Sequence, residues 1–341
     1  MSTVFLVFGL IVIVGVLLGQ GAKSRLRRQI LPPGKMINVG GYHLHLHQMG
    51  QRGPAVVMEA GIGEPGLAWA AIQREVASFA QAVVYDRAGL GWSETSPRPR
   101  TVTVMVEELH TLLHQAGIPS PYILVGASFG GLITRLYAHQ YPDEVAGMVL
   151  VDASHEEQYI PEPIQQAVRR MNKMMPILYG VMRLLVGTGL AALWPRLRPL
   201  PAGVTLPASD REMWGALVAA STKHVEAQSA ELAVVLESHA QMRVAQVDSL
   251  GDVPLVVIRH GLRQPQMTPE LTDLMEETNE RLQAELATHS TQGQLVVAEQ
   301  SGHAVQFDEP DVVIAAISAV VEQVAAATQA NLGVLPQPND A

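Results

Sequence analysis

Short apolar runs alternate with helical patterns along most of the chain, and this alternation limits the possible folds more than any other feature. The runs are five or six residues long and bounded by turn residues; they lie at 55–59, 81–86, 122–126, 147–152, 254–258 and 294–298. Such runs are typical of buried strands in a parallel sheet. Helical patterns at 102–116, 271–288 and 312–324 lie among them. The sequence therefore predicts an α/β fold, with a mostly parallel sheet and helices on both faces.

A hairpin is predicted ahead of the first of these runs. Gly40 and Gly41 separate two short strand patterns at 35–39 and 42–47. Two glycines between such patterns are typical of a two-residue hairpin turn, because both turn positions need positive φ angles.

The segment 156–249 breaks the alternation, because it contains several helical patterns and no clear strand. We interpret it as a helical cap inserted into a core formed by 30–155 and 250–328. The end of the chain, 329–341, contains proline and asparagine and is expected to be a loose tail.

The N-terminal segment, 1–29, is predicted to be a membrane anchor with a basic flank. Residues 4–19 carry no polar side chain, and the stretch 2–22 is long enough for a helix to cross about 30 Å of hydrocarbon. Four basic residues follow between positions 23 and 28, and no charged residue precedes the run. The positive-inside rule then predicts a single-pass protein with its catalytic domain in the cytoplasm. The alternatives are a cleaved signal peptide, with a secreted or periplasmic product, and a helix lying at the membrane interface.

Composition excludes several classes of protein and site. The chain is 48% hydrophobic, which is enough to bury a sizeable core. Its net charge of −9 argues against a nucleic-acid-binding protein held by phosphate contacts. The absence of cysteine excludes disulfides, a thiol nucleophile and thiolate metal sites. No metal and no cofactor are predicted.

The first motif with a chemical meaning surrounds Ser128. The sequence Gly126-Ala127-Ser128-Phe129-Gly130 directly follows a predicted strand and opens a helical pattern. G-x-S-x-G at a strand-to-helix junction is typical of a nucleophile elbow, where a strained turn exposes the serine hydroxyl at a helix N-terminus. That helix end supplies amide donors and a positive field for a developing oxyanion.

The second motif is Ser301-Gly302-His303, which follows the last predicted strand. His303 is therefore expected at the carboxyl edge of the sheet, the same edge as Ser128. A neutral imidazole there could accept the Ser128 proton and later return it to a leaving group. A third segment, the glycine-rich turn 59–63, could offer backbone amides that complete an oxyanion hole with the amide of Phe129.

Together these segments resemble the α/β-hydrolase superfamily, in its cap-bearing esterase and lipase-like branch. The matching motifs stand in order: Ala60-Gly61-Ile62 in place of His-Gly-x, 86–93 in place of D-x-R-G-x-G-x-S, the Ser128 turn, and Ser301-Gly302-His303. The resemblance covers about 30–328 and implies an eight-stranded, mostly parallel sheet. It also implies Ser128 as nucleophile, His303 as base, and the backbone amides of Ile62 and Phe129 as oxyanion donors. By the same resemblance Asp86 would order the loop beneath the site.

A third catalytic residue, an acid that would complete a triad with Ser128 and His303, departs from the usual pattern of this superfamily. Its members usually carry that acid on the loop after the seventh strand, but here the loop 259–266 contains no carboxylate. Some members place the acid at the end of the sixth strand, and Asp152 matches that position. We therefore predict Asp152 as the acid that orients His303. Glu156, Glu157 and a Ser–His dyad remain alternatives.

The predicted activity is hydrolysis of an ester bond in a small or apolar acyl substrate through an acyl-enzyme. Four residues are expected to line the substrate site: Trp92, Met174, Met175 and Met182. The three methionines could equally form the hydrophobic core of the cap. The alternatives are carbon–carbon bond hydrolysis, amide hydrolysis, cofactor-free peroxidation, and a catalytically inactive binding module tethered to the membrane. A serine nucleophile excludes the aspartate-dependent epoxide hydrolase and haloalkane dehalogenase mechanisms. The sequence leaves the oligomeric state open.

Overall fold

A computed structural model describes residues 2–193, 207–266 and 268–333 of the 341-residue chain. An eight-stranded sheet forms its centre. The strands are β1 (Lys35–Asn38), β2 (His43–Met49), β3 (Ala55–Glu59), β4 (Gln81–Tyr85), β5 (Tyr122–Ala127), β6 (Val145–Val151), β7 (Leu255–His260) and β8 (Gly293–Ala298). They lie in the order 1-2-4-3-5-6-7-8; β2 is antiparallel to both of its neighbours, and every other pair is parallel. The predicted mostly parallel sheet is confirmed.

Helices surround this sheet. The α-helices are α1 (Ser2–Gln29), α2 (Ala70–Val76), α3 (Val102–Ala116), α4 (Gly130–Gln140), α5 (Glu162–Gly187), α6 (Leu190–Leu193), α7 (Ala208–Ala220), α8 (Thr222–Ala233), α9 (Val235–Ala245), α10 (Pro269–Ala287), α11 (Val305–Asp308) and α12 (Pro310–Gly333). In the described residues two 3₁₀ turns also occur: Gly66–Trp69 leads from β3 into α2, and Pro142–Glu144 leads from α4 into β6.

Two hydrophobic cores cover the two faces of the sheet, because successive strand residues point to opposite sides. Leu124 of β5 packs into the core that includes Leu109 of α3. The next residue, Val125, packs into the opposite core with Ile72 of α2 and Ile317 of α12. Burial on both faces explains why these strands are continuously apolar rather than alternating.

The predicted hairpin is confirmed between β1 and β2. Gly40 and Gly41 have φ angles of +111° and +104°, which only glycine adopts easily. The side-chain oxygen of Asn38 accepts hydrogen bonds from both glycine amides, at 2.9 and 3.1 Å. This turn reverses the chain into β2.

The segment between β6 and β7 is helical, as predicted. It contains α5 to α9, and its described residues form no strand. Residues 194–206 of the predicted cap lie outside the described part. The exact division of the chain into core and cap stays a prediction.

The C-terminal tail is shorter than predicted. Helix α12 continues to Gly333, so the expectation of a loose tail is wrong for 329–333. No proline or glycine interrupts the chain between Asp311 and Gly333, so nothing stops the helix earlier. Residues 334–341 lie outside the described part.

Among the described residues, the helix with the length and hydropathy of a membrane span is Pro310–Ala330, near the C-terminus rather than the N-terminus. Val313, Ile317 and Val320 of this helix are completely buried against the sheet. A core helix of a soluble domain passes the same criteria, so this helix is only weak support for a membrane location. Helix α1 forms where the anchor was predicted, and its membrane role stays a prediction.

Candidate active site

The carboxyl ends of four parallel strands meet at one edge of the sheet. In the register of the sheet, Glu59 of β3 pairs with Gly126 of β5, and Val151 of β6 pairs with Ile258 of β7. The loops that follow these strands therefore begin side by side. Such an edge is where open α/β sheets bind ligands.

Ser128 stands on a sharp turn between β5 and α4. Its φ angle is +50°, a strained value for a residue with a side chain. The turn closes only because its flanks lack side chains: a Cβ on Gly126 would lie 2.5 Å from Oγ1 of Thr134, and one on Gly130 would lie 2.6 Å from the Glu59 carbonyl oxygen. The predicted strand–turn–helix context of Ser128 is confirmed.

A continuous chain of hydrogen bonds joins the three predicted catalytic side chains. Ser128 Oγ lies 2.9 Å from Nε2 of His303. Nδ1 of His303 lies 2.5 Å from Oδ2 of Asp152. With the proton of a neutral His303 on Nδ1, Nε2 is free to accept the hydroxyl proton of Ser128.

Asp152 is buried directly after β6 and is held from several sides. Its φ angle is +41°, and its amide donates to the Ile258 carbonyl at 2.6 Å. Oδ2 also lies 2.8 Å from Nδ1 of His260, and Asn279 approaches Oδ1 at 3.5 Å. Burial raises the pKa of Asp152, but the hydrogen bonds from His260 and His303 outweigh it, so the pKa is well below its usual value. The carboxylate is therefore ionised at neutral pH.

Sequence reasoning missed His260, which shares the Asp152 carboxylate with His303. It is the last residue of β7 and directly precedes the loop on which the superfamily named above usually carries the acid, and this position was the available signal. Nε2 of His260 lies 3.1 Å from Oε2 of Glu276. Desolvation lowers the pKa of His260, but Asp152 and Glu276 raise it more, so the net pKa is raised. The pKa of His303 is raised in the same way, by Asp152 against desolvation and the charge of His260.

The rival carboxylates do not approach His303. Glu156 accepts two hydrogen bonds from the buried guanidinium of Arg135, at 2.6 and 3.0 Å. Glu157 has its nearest cation in Arg281, 3.8 Å away. Asp152 is therefore the carboxylate that the fold brings to His303.

Two backbone amides beside Ser128 are free. In the part of the chain that the structure describes, no hydrogen bond engages the amides of Ile62 and Phe129. The amides on both sides of Ile62 are occupied, since Gly61 donates to Glu64 and Gly63 donates to Glu231. Ile62 lines a cavity of about 240 Å³ together with Ser128 and His303. The arrangement fits the predicted pair of oxyanion donors.

A buried arginine holds the turn that carries Ile62. Arg87 donates to the carbonyl oxygens of Ala60 and Gly61, at 2.8 and 2.7 Å. Its Nε and Nη2 donate to the two carboxylate oxygens of Glu231 in α8, each at 2.8 Å. Nη1 donates to Glu59 at 2.6 Å. Arg87 therefore connects the end of β3, the turn and the cap.

The neighbouring Asp86 has the ordering role that the resemblance implied. Its carboxylate accepts hydrogen bonds from the amides of Gly66 and Trp92, at 2.8 and 2.9 Å. The Nδ1 atom of His45 lies 3.0 Å from the same carboxylate. Asp86 thus ties the loop after β4 to the loop after β3.

The principal cavity beside Ser128 has a volume of about 360 Å³, within the range of small-ligand sites. Its wall combines apolar and amide side chains, among them Tyr159, Ile164, Leu282, Gln158 and Asn279. The predicted substrate residues are absent from this described wall. Trp92 lines a separate cavity, Met174 is exposed on the cap, and Met175 and Met182 are half-buried there. The expectation for these four residues is corrected: the cap methionines lie on α5, whose first turns alone reach the cavity.

Three groups of histidine and carboxylate side chains in the described residues converge closely enough to hold a metal ion. They are His110, His114 and Glu144; His155, Glu285 and His289; and Asp152, His260 and His303. The last group is engaged in the hydrogen bonds described above. The first lies at the opposite end of the sheet, where Glu144 precedes β6.

Comparisons with known proteins give the following matches. Residues 54–180 match the family model described as the alpha/beta hydrolase fold. The uncharacterized protein YqjL of Bacillus subtilis is 26% identical over 288 residues, which cover 83% of this chain and 90% of that protein. The probable transporter efuK of Hormonema carpetanum is 26% identical over 320 residues, or 84% of this chain but only 42% of that protein's length. A thermophilic esterase from Thermogutta terrifontis superimposes with a TM-score of 0.55 at 21% identity, covering 85% of this chain and 98% of the esterase.

Proposed function

The chain has the alpha/beta hydrolase fold, and we propose that it is a serine hydrolase that cleaves an ester bond of a small acyl substrate. The observation that supports this best is the hydrogen-bonded series Asp152–His303–Ser128, which opens to a cavity beside two free backbone amides. Nucleophile, base and orienting acid then occupy the relative positions that acyl transfer requires.

The reaction follows from these distances. His303 Nε2 removes the proton of Ser128 as Oγ attacks the ester carbonyl carbon. The carbonyl oxygen becomes an oxyanion, which the amides of Ile62 and Phe129 stabilise. His303 then donates its proton to the departing alcohol, and the acyl group stays on Ser128. Water, deprotonated by His303, attacks the acyl-enzyme and releases the acid.

The cavity supports a small substrate more than a long apolar one. Its volume of about 360 Å³ suits a ligand of modest size, and amide side chains interrupt its apolar wall. The sequence-based expectation of an apolar acyl group therefore has weaker support than the expectation of a small one.

We also propose that α1 anchors the protein in a membrane, with the catalytic domain in the cytoplasm. Most of its described apolar side chains between positions 5 and 18 are exposed, Ile11 to 63%, although a soluble protein normally buries such a run. The basic residues at 23–28 support the cytoplasmic orientation. Cleavage by external protease in intact cells would contradict that orientation.

The proposed chemistry is tested by labelling the detergent-solubilised full chain with a fluorophosphonate probe. Wild type is expected to label, and Ser128→Ala is expected not to. Ser154→Ala is the matched control, because Ser154 lines the same cavity and lies outside the hydrogen-bonded series. Failure of a folded wild type to label would favour an inactive binding module.

A substrate panel then separates the remaining chemistries. The panel compares p-nitrophenyl esters of increasing chain length, anilides, a carbon–carbon bond substrate and a peroxidation assay. Turnover of short esters that Ser128→Ala abolishes is the expected result. Turnover confined to another substrate class would replace the ester assignment while keeping Ser128 as nucleophile.

A further inference from the structure

The long cap helix α5 carries an apolar stripe that faces outward. Six of its residues, spaced three or four apart along one face, are exposed: Met171, Met174, Ile177, Leu178, Val181 and Leu184. Met174 is 70% exposed, Ile177 74% and Leu184 65%. Side chains of this kind normally form the buried face of an amphipathic helix. The buried residues of α5 are Ile164, Val168 and Val186, and the stripe lies beside them on the exposed part of the helix surface.

The same helix is basic in an otherwise acidic protein. Helix α5 contains four basic side chains and one acidic one, Glu162 at its first position, while the whole chain has a net charge of −9. Arg169, Arg170 and Lys173 are exposed beside the first half of the stripe, and Arg183 is exposed near its end. Exposed apolar residues flanked by basic ones are typical of a helix that lies in the interface of an anionic membrane.

The C-terminal end of the stripe lies close to the point where the apolar run of α1 ends. The Gln20 side chain donates to the Gly187 carbonyl at 2.7 Å, and Nζ of Lys23 donates to the Val186 carbonyl at 3.0 Å. At the same crossing a Cβ on Gly19 would lie 2.7 Å from the backbone of Gly189, so the two segments touch backbone to backbone. If α1 spans a membrane, Gln20 to Lys23 lie at its surface, and the C-terminal end of α5 is held at that level.

We propose that α5 is a membrane-docking helix, whose stripe inserts into the anionic leaflet from which α1 emerges. This inference rests on the anchor proposed above. A second copy of the chain fits the stripe less well, because pairing two such helices would bring eight basic residues together, of which only Arg183 in each copy has an acidic partner, Glu226.

Docking of α5 would also orient the candidate active site. Ile164 in the first turn of α5 lines the cavity beside Ser128, and Tyr159 just before the helix does so as well. The helix thus links the membrane surface at one end to the cavity wall at the other. A substrate dissolved in the leaflet would then reach the cavity along the cap.

The absence of cysteine allows a direct test with single environment-sensitive labels. A nitrobenzoxadiazole dye is attached to the full chain at one introduced cysteine in each of four variants: Ile177→Cys, Leu184→Cys, Ile11→Cys and Val244→Cys. Each is reconstituted into nanodiscs containing about 30% phosphatidylglycerol, with and without brominated acyl chains, because quenching by bromine requires insertion into the hydrocarbon region. Val244 is the matched control, since it is a cap residue on α9 that is 85% exposed.

The expected result is quenching at 177 and 184 by about half, strong quenching at 11, and almost none at 244. Quenching at 11 alone would overturn the docking of α5 and leave the anchor intact. Loss of quenching at all positions would overturn both. Protection of 177 from a water-soluble quencher without bromine quenching, together with cross-linking between two copies, would overturn the proposal in favour of self-association.

Charge provides the second arm of the test. Arg170→Gln combined with Lys173→Gln removes two exposed basic side chains and leaves the apolar stripe. We expect quenching at 177 to fall at least about twofold in this variant, and by a similar factor in discs without anionic lipid. Equal quenching in all discs would overturn the role of charge. Hydrolysis of a water-soluble ester, measured in the same samples, reports the proposed activity independently of docking.

Discussion

Nδ1 of His260 lies 2.8 Å from Oδ2 of Asp152, the same oxygen that accepts the hydrogen bond from His303. One buried carboxylate therefore serves two imidazoles. His260 also contacts Glu276, so a protonated His260 bridges two carboxylates. Its pKa is raised by Asp152 and Glu276 against the effect of desolvation, which favours that protonated form. His260 is then a positioning residue that holds Asp152 and adds positive charge near His303.

This arrangement predicts the pH dependence of a His260→Gln variant. The positive charge of His260 lowers the pKa of His303, so removing it should raise that pKa. Catalysis needs neutral His303, and the acid limb of the kcat/KM profile is therefore expected to move to higher pH, by about half a unit to one unit. His139→Gln, at an exposed position on α4, should leave the limb unchanged. A limb that stays in place or moves to lower pH would contradict the role of His260.

The second prediction concerns the acid itself. Asp152→Asn should lower kcat by about 10⁴-fold, because the amide no longer fixes the tautomer of His303 or stabilises its protonated form. The fold should survive, since asparagine tolerates the positive φ of this position. Ester hydrolysis and circular dichroism measure both effects. Glu157→Gln tests the nearest exposed rival, and a comparable loss of kcat there would remove Asp152 from the mechanism.

Local motifs in the sequence were sufficient to predict Ser128, because the elbow depends on glycines within two residues of it. Asp152 could be proposed but not separated from Glu156, since only the sheet register fixes which carboxylate meets His303. The ion pair between Arg87 and Glu231 joins residues 144 positions apart, one in the core after β4 and the other on α8 of the cap. No periodicity within either segment predicts this pairing, because it depends on how the cap packs on the core. The positions of the cap methionines relative to the cavity depend on the same packing and were therefore not predicted.

Buried neutral histidines predict a loss of stability in acid. Burial lowers the pKa of His155, His224 and His239 to about 4 each. These groups bind protons near pH 6.5 when unfolded and near pH 4 when folded, so their contribution is present above pH 6.5 and is lost as the pH falls toward 4. Each accounts for about 2 kcal/mol of stability lost between pH 7 and pH 5.

A single variant isolates one of these contributions. His239→Phe keeps an aromatic ring against Tyr159, 4.6 Å away, and removes the titrating group. Thermal unfolding is measured in mild detergent at pH 7 and pH 5. The decrease in stability between these two pH values should be smaller in this variant than in wild type. The exposed His139→Gln serves as the control. If stability decreases equally in His239→Phe and wild type between pH 7 and pH 5, then His239 is not held in its neutral form by burial.

The last prediction concerns the ion pair between the turn 59–63 and the cap. Glu231→Gln leaves the buried Arg87 with one charged partner, Glu59, and should destabilise the fold by about 3 to 5 kcal/mol. It should also loosen the turn that carries the Ile62 amide, so kcat should fall about tenfold with little change in KM. Glu226→Gln is the matched control, because Glu226 lies on the same helix but forms an exposed pair with Arg183, and such pairs contribute little. Unchanged kcat in a folded Glu231→Gln protein would show that Arg87 does not need the cap to hold the oxyanion turn.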